Sequence, residues 1–77
     1  MLKATDKKYL KRFGENLKKL RENKGLSLRE LSYNCDIDHS KIGKIEKGQV
    51  NITFTTILDL ARGLEIQPKE LLNIDAI

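Results

Sequence analysis

The stretch SLRELSYNCDIDHSKIGKIEKG, residues 27–48, decides the fold of this chain. At its start, Ser27 and Glu30 have the spacing of a capping box. In that motif the hydroxyl accepts a hydrogen bond from the amide three residues on, and the carboxylate accepts one from the capping residue's own amide. Apolar residues at helical spacing follow, so the pattern predicts a helix over residues 28–35.

A brief turn separates this helix from the next one. Asp36 falls where the turn needs a left-handed residue, and aspartate is among the few residues besides glycine that tolerate that geometry. Asp38 suits the N-cap of a helix over residues 39–47, which Gly48 ends. Two short helices joined so closely must cross steeply, which is helix-turn-helix geometry.

The flanking sequence predicts three more helices, and all five have an apolar stripe or a capping signal. We expect Thr5 or Asp6 to cap the first helix, and Gly14 inside it to mark a close approach of another backbone. The fourth helix is expected to bury Phe54, Ile57, Leu58, Ala61 and Leu64. The sequence therefore predicts an all-α, five-helix fold in a single domain over residues 1–77, with helices at about 6–24, 28–35, 39–47, 54–64 and 68–73.

Charge is unevenly distributed along the 77 residues. Residues 1–26 hold nine Lys or Arg against three acidic residues, whereas residues 51–77 hold two against four. A protein that binds a polyanion with one positive side has this pattern, but so does a lysine-rich helix face that only promotes solubility. Charge alone leaves both interpretations open.

Several classes of protein are excluded by what the sequence lacks. Cys35 has no second cysteine to pair with, so we expect a reduced, cytoplasmic protein in which Cys35 is a small buried apolar residue. No apolar run approaches the roughly 18 to 20 residues that span a bilayer. One His, one Cys and scattered carboxylates supply neither an activated nucleophile nor a metal-ligand set. We therefore expect no catalytic residues, no metal, no cofactor and no membrane association.

The helix over residues 39–47 is the candidate functional element. Ile42 and Ile45 form its buried stripe, which leaves its polar residues facing outward. An outward helix of this kind fits the roughly 12 Å wide major groove of DNA, where each base pair displays its own donor and acceptor pattern. Lys44 is able to donate to guanine, while Lys41 and Lys47 suit phosphate contacts.

Over most of its length the chain resembles the Cro/Xre-type, lambda-repressor-like helix-turn-helix regulators. The resemblance rests on short motifs distributed from Phe13 to Leu72: Phe13-Gly14, Leu17 to Arg21, Gly25-Leu26-Ser27, Glu30-Leu31, Ile42, Ile45-Glu46-Lys47-Gly48, Thr53-Phe54, Leu60-Ala61, Leu64 and Pro68 to Leu72. It implies a sequence-specific regulator of transcription whose third helix binds double-stranded DNA.

The resemblance also implies roles for individual residues. The base-reading positions are His39, Ser40, Gly43 and Lys44, and Arg21 pairs with Glu46 as a structural brace. Exposed amides at the starts of the second and fourth helices, near Ser27 and from Asn51 to Thr53, add candidate phosphate contacts.

Three positions depart from the family pattern, and one of them is Asp36, which replaces the family's turn glycine and is tolerated there. Leu28 replaces the glutamine that usually follows the capping serine, so the phosphate contact of that glutamine is in doubt. Gly43 stands where a polar side chain often reads bases, so either the backbone approaches DNA closely there or this position reads nothing.

Apolar residues near the C-terminus, Leu71, Leu72, Ile74 and Ile77, are candidates for an interface in a homodimer. They would suit a different protein partner equally well. The alternative function is therefore a protein-interaction module, such as an antitoxin or an adaptor, that uses the same fold mainly to bind a protein.

Overall fold

The computed structural model describes residues 2–77 as an all-α arrangement. No strand occurs in that range, so the prediction of an all-α, five-helix fold is confirmed. The helices are α1 (Ala4–Asn23), α2 (Leu28–Cys35), α3 (His39–Glu46), α4 (Phe54–Leu64) and α5 (Pro68–Leu71).

The two outer helices have bounds that differ from the predicted ones. Helix α1 begins at Ala4 with Lys3 as its N-cap residue, so neither Thr5 nor Asp6 occupies the capping position. Instead, the Asp6 carboxylate accepts a hydrogen bond from the Lys3 amide at 3.0 Å from within the first turn. Helix α5 ends at Leu71 rather than near residue 73, since the amides of Leu72 and Asn73 reach back only three residues.

The central helix-turn-helix has the local structure that its sequence predicts. The Ser27 amide donates to the Glu30 carboxylate at 2.9 Å, and Ser27 Oγ accepts from the Glu30 amide at 3.1 Å. Asp36 takes the left-handed conformation at φ 58°, and the Asp38 carboxylate accepts from the Ser40 amide at 3.2 Å. Local hydrogen bonds and backbone preferences therefore set the turn between α2 and α3.

All five helices contribute to one aliphatic core. Its largest fully buried side chains are Leu17, Leu31, Ile42, Ile45, Leu60, Leu64 and Leu71. Cys35 is buried beside them, as expected, and this burial raises the pKa of its thiol. A buried thiol that stays protonated at neutral pH is a packing group rather than a nucleophile.

The expected buried face of α4 is wrong in two places. Phe54 is 64% exposed, and Leu58 is only half-buried. The helix instead turns Thr56, Leu60 and Gly63 inward along with the predicted positions. Its rotation is set by the crossing with α2, where a Cβ on Gly63 would lie 2.7 Å from the Cβ of Cys35. That close approach leaves Phe54 at the edge of the apolar stripe.

Candidate nucleic-acid interface

Helix α3 presents a polar face away from the core. Ile42 and Ile45 are buried, whereas Ser40, Lys41, Lys44 and Lys47 are exposed. The remaining two candidates, His39 and Gly43, are half-buried, and His39 Nδ1 lies 3.7 Å from an Asp38 carboxylate oxygen.

Helical spacing separates these residues by direction. One arc of α3, continued by its C-cap residue, contains His39, Ser40, Gly43, Lys44 and Lys47. Lys41 lies outside this arc. A surface placed against this arc would meet all four predicted base-reading positions together.

An ion pair holds α3 against α1. Arg21 Nε and Nη2 donate to the two carboxylate oxygens of Glu46 at 2.7 and 3.2 Å, and Arg21 Nη1 donates to the Leu26 carbonyl oxygen at 2.7 Å. Both side chains are nearly buried, with exposed fractions of 10% and 7%. The hydrogen bond to Glu46 raises the pKa of Arg21, against the opposing effect of burial. The structure thus brings together the two residues named as a structural brace.

Two glycines bring the backbones of α1 and α3 into direct contact. A Cβ on Gly14 would lie 2.4 Å from the carbonyl oxygens of Ile45 and Glu46. At the other end of the crossing, Gly48 has a φ of 73°, and a Cβ there would lie 2.7 Å from Lys11 Cα. No larger residue fits either position without a backbone shift. The sequence predicted the close approach at Gly14, but it indicated Gly48 only as a helix end.

An open groove of about 490 Å³ runs between α1 and the exposed side of α3. Its wall includes Lys11 and Lys18 of α1, Leu28 of α2, and Gly43 and Lys47 of α3. The two α1 lysines were not singled out from the sequence. Their seven-residue spacing, which places both on one helix face, is the signal that could have indicated them.

Two of the departures from the family pattern, Leu28 and Gly43, meet in this groove. Leu28 is half-buried and packs against the core, so the surface there is apolar. A Cβ on Gly43 would meet only the Leu28 Cδ1 atom, at 3.7 Å, which is an ordinary contact. Packing within the chain therefore does not require glycine at position 43.

The residues predicted to contact phosphates differ in which of their polar groups are already hydrogen-bonded within the protein. The capping box already uses both the amide and the hydroxyl oxygen of Ser27, and the Ser27 hydroxyl group also helps to lower the pKa of the Glu30 carboxyl group. Thr53 caps α4 by accepting from the Thr56 amide at 3.2 Å, and its hydroxyl also lies 3.1 Å from that of Thr55. Asn51 is exposed in the loop before α4.

The C-terminal apolar group requires a correction. Leu71 is completely buried, with an exposed fraction of 0%, so it belongs to the core and cannot form an interface. Two hydrogen bonds from the Asn16 side chain, at 2.9 and 3.0 Å, hold the carbonyl groups of Glu70 and Leu71 against α1. Leu72 and Ile77 are exposed and Ile74 is half-buried, so these three remain available.

Two further features bear on the excluded classes. Within residues 2–77, no helix is both long enough and apolar enough to cross a membrane. The same residues contain no group of three or more His, Cys, Asp or Glu side chains placed to hold a metal ion.

Comparison with known proteins identifies what this fold and surface are similar to. A family model described as a helix-turn-helix domain matches residues 12–73. The control protein C.BamHI of Bacillus amyloliquefaciens is 32% identical over 66 residues, and the match covers 84% of this chain and 82% of that protein.

Solved structures show the same similarity. The restriction-modification controller protein C.AhdI from Aeromonas hydrophila is 44% identical, with a TM-score of 0.79 over 80% of this chain and 94% of its own. An HTH_3 family transcriptional regulator from Vibrio cholerae is 29% identical, with a TM-score of 0.84 over 88% of this chain, which spans 38% of that longer regulator.

Proposed function

The chain belongs to the helix-turn-helix domain family and is a DNA-binding transcription regulator, and on that premise we propose that it acts as a homodimer on a palindromic operator. The observation that carries the proposal is the presentation of α3. Its polar arc faces outward, while the Arg21–Glu46 pair and the contact at Gly14 fix its backbone against α1. A rigid element that carries the reading residues is what sequence-specific recognition requires.

The residues that we propose to contact DNA have two roles. Lys44, His39 and Ser40 read base edges, with Lys44 donating to guanine O6 and N7, and Gly43 lets the backbone come close to the groove wall. Phosphate contacts, which set affinity and orientation without selecting a sequence, come from Lys41, Lys47 and Asn51 and from the exposed residues Ser27 and Thr53.

The short length of α3 is the reason to propose a dimer. One short helix contacts only a few base pairs, and a two-fold dimer doubles the site as half-sites about one helical turn, roughly 34 Å, apart. Leu72, Ile74 and Ile77 are the candidate dimer contacts, since two of them are exposed apolar residues with no role in the core.

The similar proteins support a regulator over the alternative of an interaction module. Two of them are named as control or controller proteins and one as a transcriptional regulator. We infer the corresponding role here: a cytoplasmic controller of genes near its operator, with no enzymatic activity.

The test is selection of bound duplexes from a random pool, followed by titration of the selected and a scrambled duplex. Lys44→Ala should reduce the preference for the selected duplex, with a cost of about 1–3 kcal/mol on that site. Lys47→Ala should weaken both duplexes by the same factor. Equal affinity of the unaltered protein for selected and scrambled duplexes would contradict the proposal, and sedimentation of an operator complex with one protomer would contradict the dimer.

A further inference from the structure

Helix α1 begins before the segment that matches the helix-turn-helix family model. It begins at Ala4, whereas the match to the helix-turn-helix family begins at residue 12. These additional turns carry Lys7, Lys8 and Lys11 against one acidic residue, Asp6. The carboxylate of Asp6 is turned back to the Lys3 amide at the start of the helix. The start of α1 is therefore a basic helical segment that precedes the matched residues 12–73.

One face of this segment lies beside the recognition helix. The backbone of Lys11 is in contact with Gly48, the residue that ends α3. Lys11 and Lys18 line the same groove as Gly43 and Lys47. Lys7 precedes Lys11 by four residues, so it continues this face by one turn toward the start of α1.

The lysines on this face of α1 form no ion pair with the other described residues. Among residues 2–77 the ion pairs are Arg21–Glu46 and Arg62–Asp59, His39 lies near the Asp38 carboxylate, and none of these contacts involves the three lysines. Glu15 lines the same groove without closing an ion pair to Lys11 or Lys18. Three exposed cations therefore form a stripe that continues the basic end of α3.

We propose that Lys7, Lys11 and Lys18 form a phosphate-binding stripe that contacts the DNA backbone beside the groove occupied by α3. The proposal rests on the proposed function, since it names where the same DNA continues across the protein. Lysine ammonium groups suit this role because they act as point charges on flexible stems and follow the phosphates without reading bases. Each contact releases condensed counterions and steepens the dependence of affinity on salt.

The same helix supplies a matched control. Lys19 is exposed on α1, but its direction differs by about 80° from that of Lys11, and it does not line the groove. Lys19→Gln removes the same charge from the same helix. A stripe that serves only solubility would make Lys19 and Lys18 equivalent.

The experiment measures Kd for the selected and the scrambled duplex between about 50 and 200 mM salt. It compares the unaltered protein with Lys7→Gln, Lys11→Gln, Lys18→Gln, the triple variant and Lys19→Gln. We expect each stripe substitution to make the slope of log affinity against log salt shallower by about 0.9. Both duplexes should weaken by the same factor, Lys19→Gln should leave the slope unchanged, and Lys11→Arg should retain it.

The outcomes distinguish the stripe from the proposed function. If the triple variant keeps the slope of the unaltered protein and still prefers the selected duplex, the stripe is only a solvated face, while the regulator assignment stands. If the unaltered protein binds both duplexes equally, sequence-specific regulation fails, but the slopes still decide whether the stripe contacts DNA. Absence of binding to either duplex would remove both. Thermal unfolding of every variant by circular dichroism shows that changes in slope do not come from unfolding.

Discussion

Arg21 near the end of α1 and Glu46 at the end of α3 form a bidentate ion pair, with donor–acceptor distances of 2.7 and 3.2 Å. The third hydrogen bond of Arg21 reaches the Leu26 carbonyl oxygen, just before α2 begins. One guanidinium therefore connects α1, the last residue of α3 and the loop that leads into α2. Because Glu46 is the last residue of α3, the pair holds that end of α3 against α1.

Removal of one partner of this ion pair should lower the free energy of unfolding more than removal of both partners. Glu46→Leu leaves the nearly buried Arg21 charge uncompensated, which we expect to lower the free energy of unfolding by about 3 kcal/mol. The double variant Arg21→Met with Glu46→Leu should therefore lose less stability than Glu46→Leu alone. Urea denaturation of the four proteins measures this coupling. Additive single effects would show that the pair contributes no stability as a unit.

The capping box of α2 predicts a dependence of stability on pH. The hydrogen bond from the Ser27 amide, and to a lesser extent that from the Ser27 hydroxyl group, lowers the pKa of Glu30 below its ordinary value of 4.5. A carboxylate whose folded pKa is lowered stabilises the fold above that ordinary value, and the contribution is lost as pH falls through the folded pKa. Thermal melts at neutral pH and below pH 4 should therefore show a smaller loss of Tm in Glu30→Gln than in the unaltered protein.

The matched control for this change is Glu15→Gln, which removes an exposed carboxylate without a cap. Its loss of Tm on acidification should follow that of the unaltered protein. Equal acid sensitivity of the Glu30 variant and the unaltered protein would mean that the capping carboxylate does not contribute to acid unfolding.

Gly14 predicts a coupling between the packing of α1 and the binding of DNA. A Cβ at this position would overlap the carbonyl oxygens of Ile45 and Glu46, which are backbone atoms and cannot rotate away. We expect Gly14→Ala to cost about 1–3 kcal/mol of stability, despite the better helix propensity of alanine, and to displace α3. Affinity for the selected duplex should then fall more than affinity for a scrambled one, measured at a temperature where the variant is folded. A variant as stable and as specific as the unaltered protein would refute this account of the crossing.

Gly43 is expected to behave in the opposite way. Its nearest neighbour is a flexible leucine atom at 3.7 Å, so Gly43→Ala should gain up to about 1 kcal/mol of stability from helix propensity. Since the free protein has no packing need for this glycine, we expect its use to lie in a close approach of DNA. The variant should bind the selected duplex about tenfold more weakly, or about 1.4 kcal/mol. Unchanged affinity together with the gain in stability would show that this position reads nothing.

Adjacent leucines at the C-terminus should separate folding from assembly. Leu71→Ala creates a cavity in the core and should cost about 2–5 kcal/mol in urea denaturation. Leu72→Ala changes a side chain that is 50% exposed, so the protomer should retain its stability within about 0.5 kcal/mol, while its dimer weakens in sedimentation. A Leu72 variant that dimerises like the unaltered protein would move the interface elsewhere.

Features set by residues within one turn of each other could be read from the sequence. The capping box at Ser27 and Glu30, the left-handed Asp36, and the alternation of buried and exposed residues along α3 all occur as expected. Their causes are local hydrogen bonds, backbone preferences and helical periodicity, which depend on neighbours three or four positions away. The family resemblance added the pairing of Arg21 with Glu46, which no local rule supplies.

Only the tertiary structure decided how these elements meet. The rotation of α4 that exposes Phe54, the burial of Leu71, and the contact of Gly48 with Lys11 depend on residues far apart in the chain. Periodicity defines an apolar stripe, but the crossing angle and closest distance of two helices define which part of that stripe is covered. The sequence therefore determined that α3 has an outward-facing polar side, and the packing of α1 against α3 determined which lysines lie beside it. The physical reason is that the sequence gives the order of the lysines along the chain. Which lysines share one surface depends on the parts of the backbone that are far apart in the chain and in contact in the folded protein.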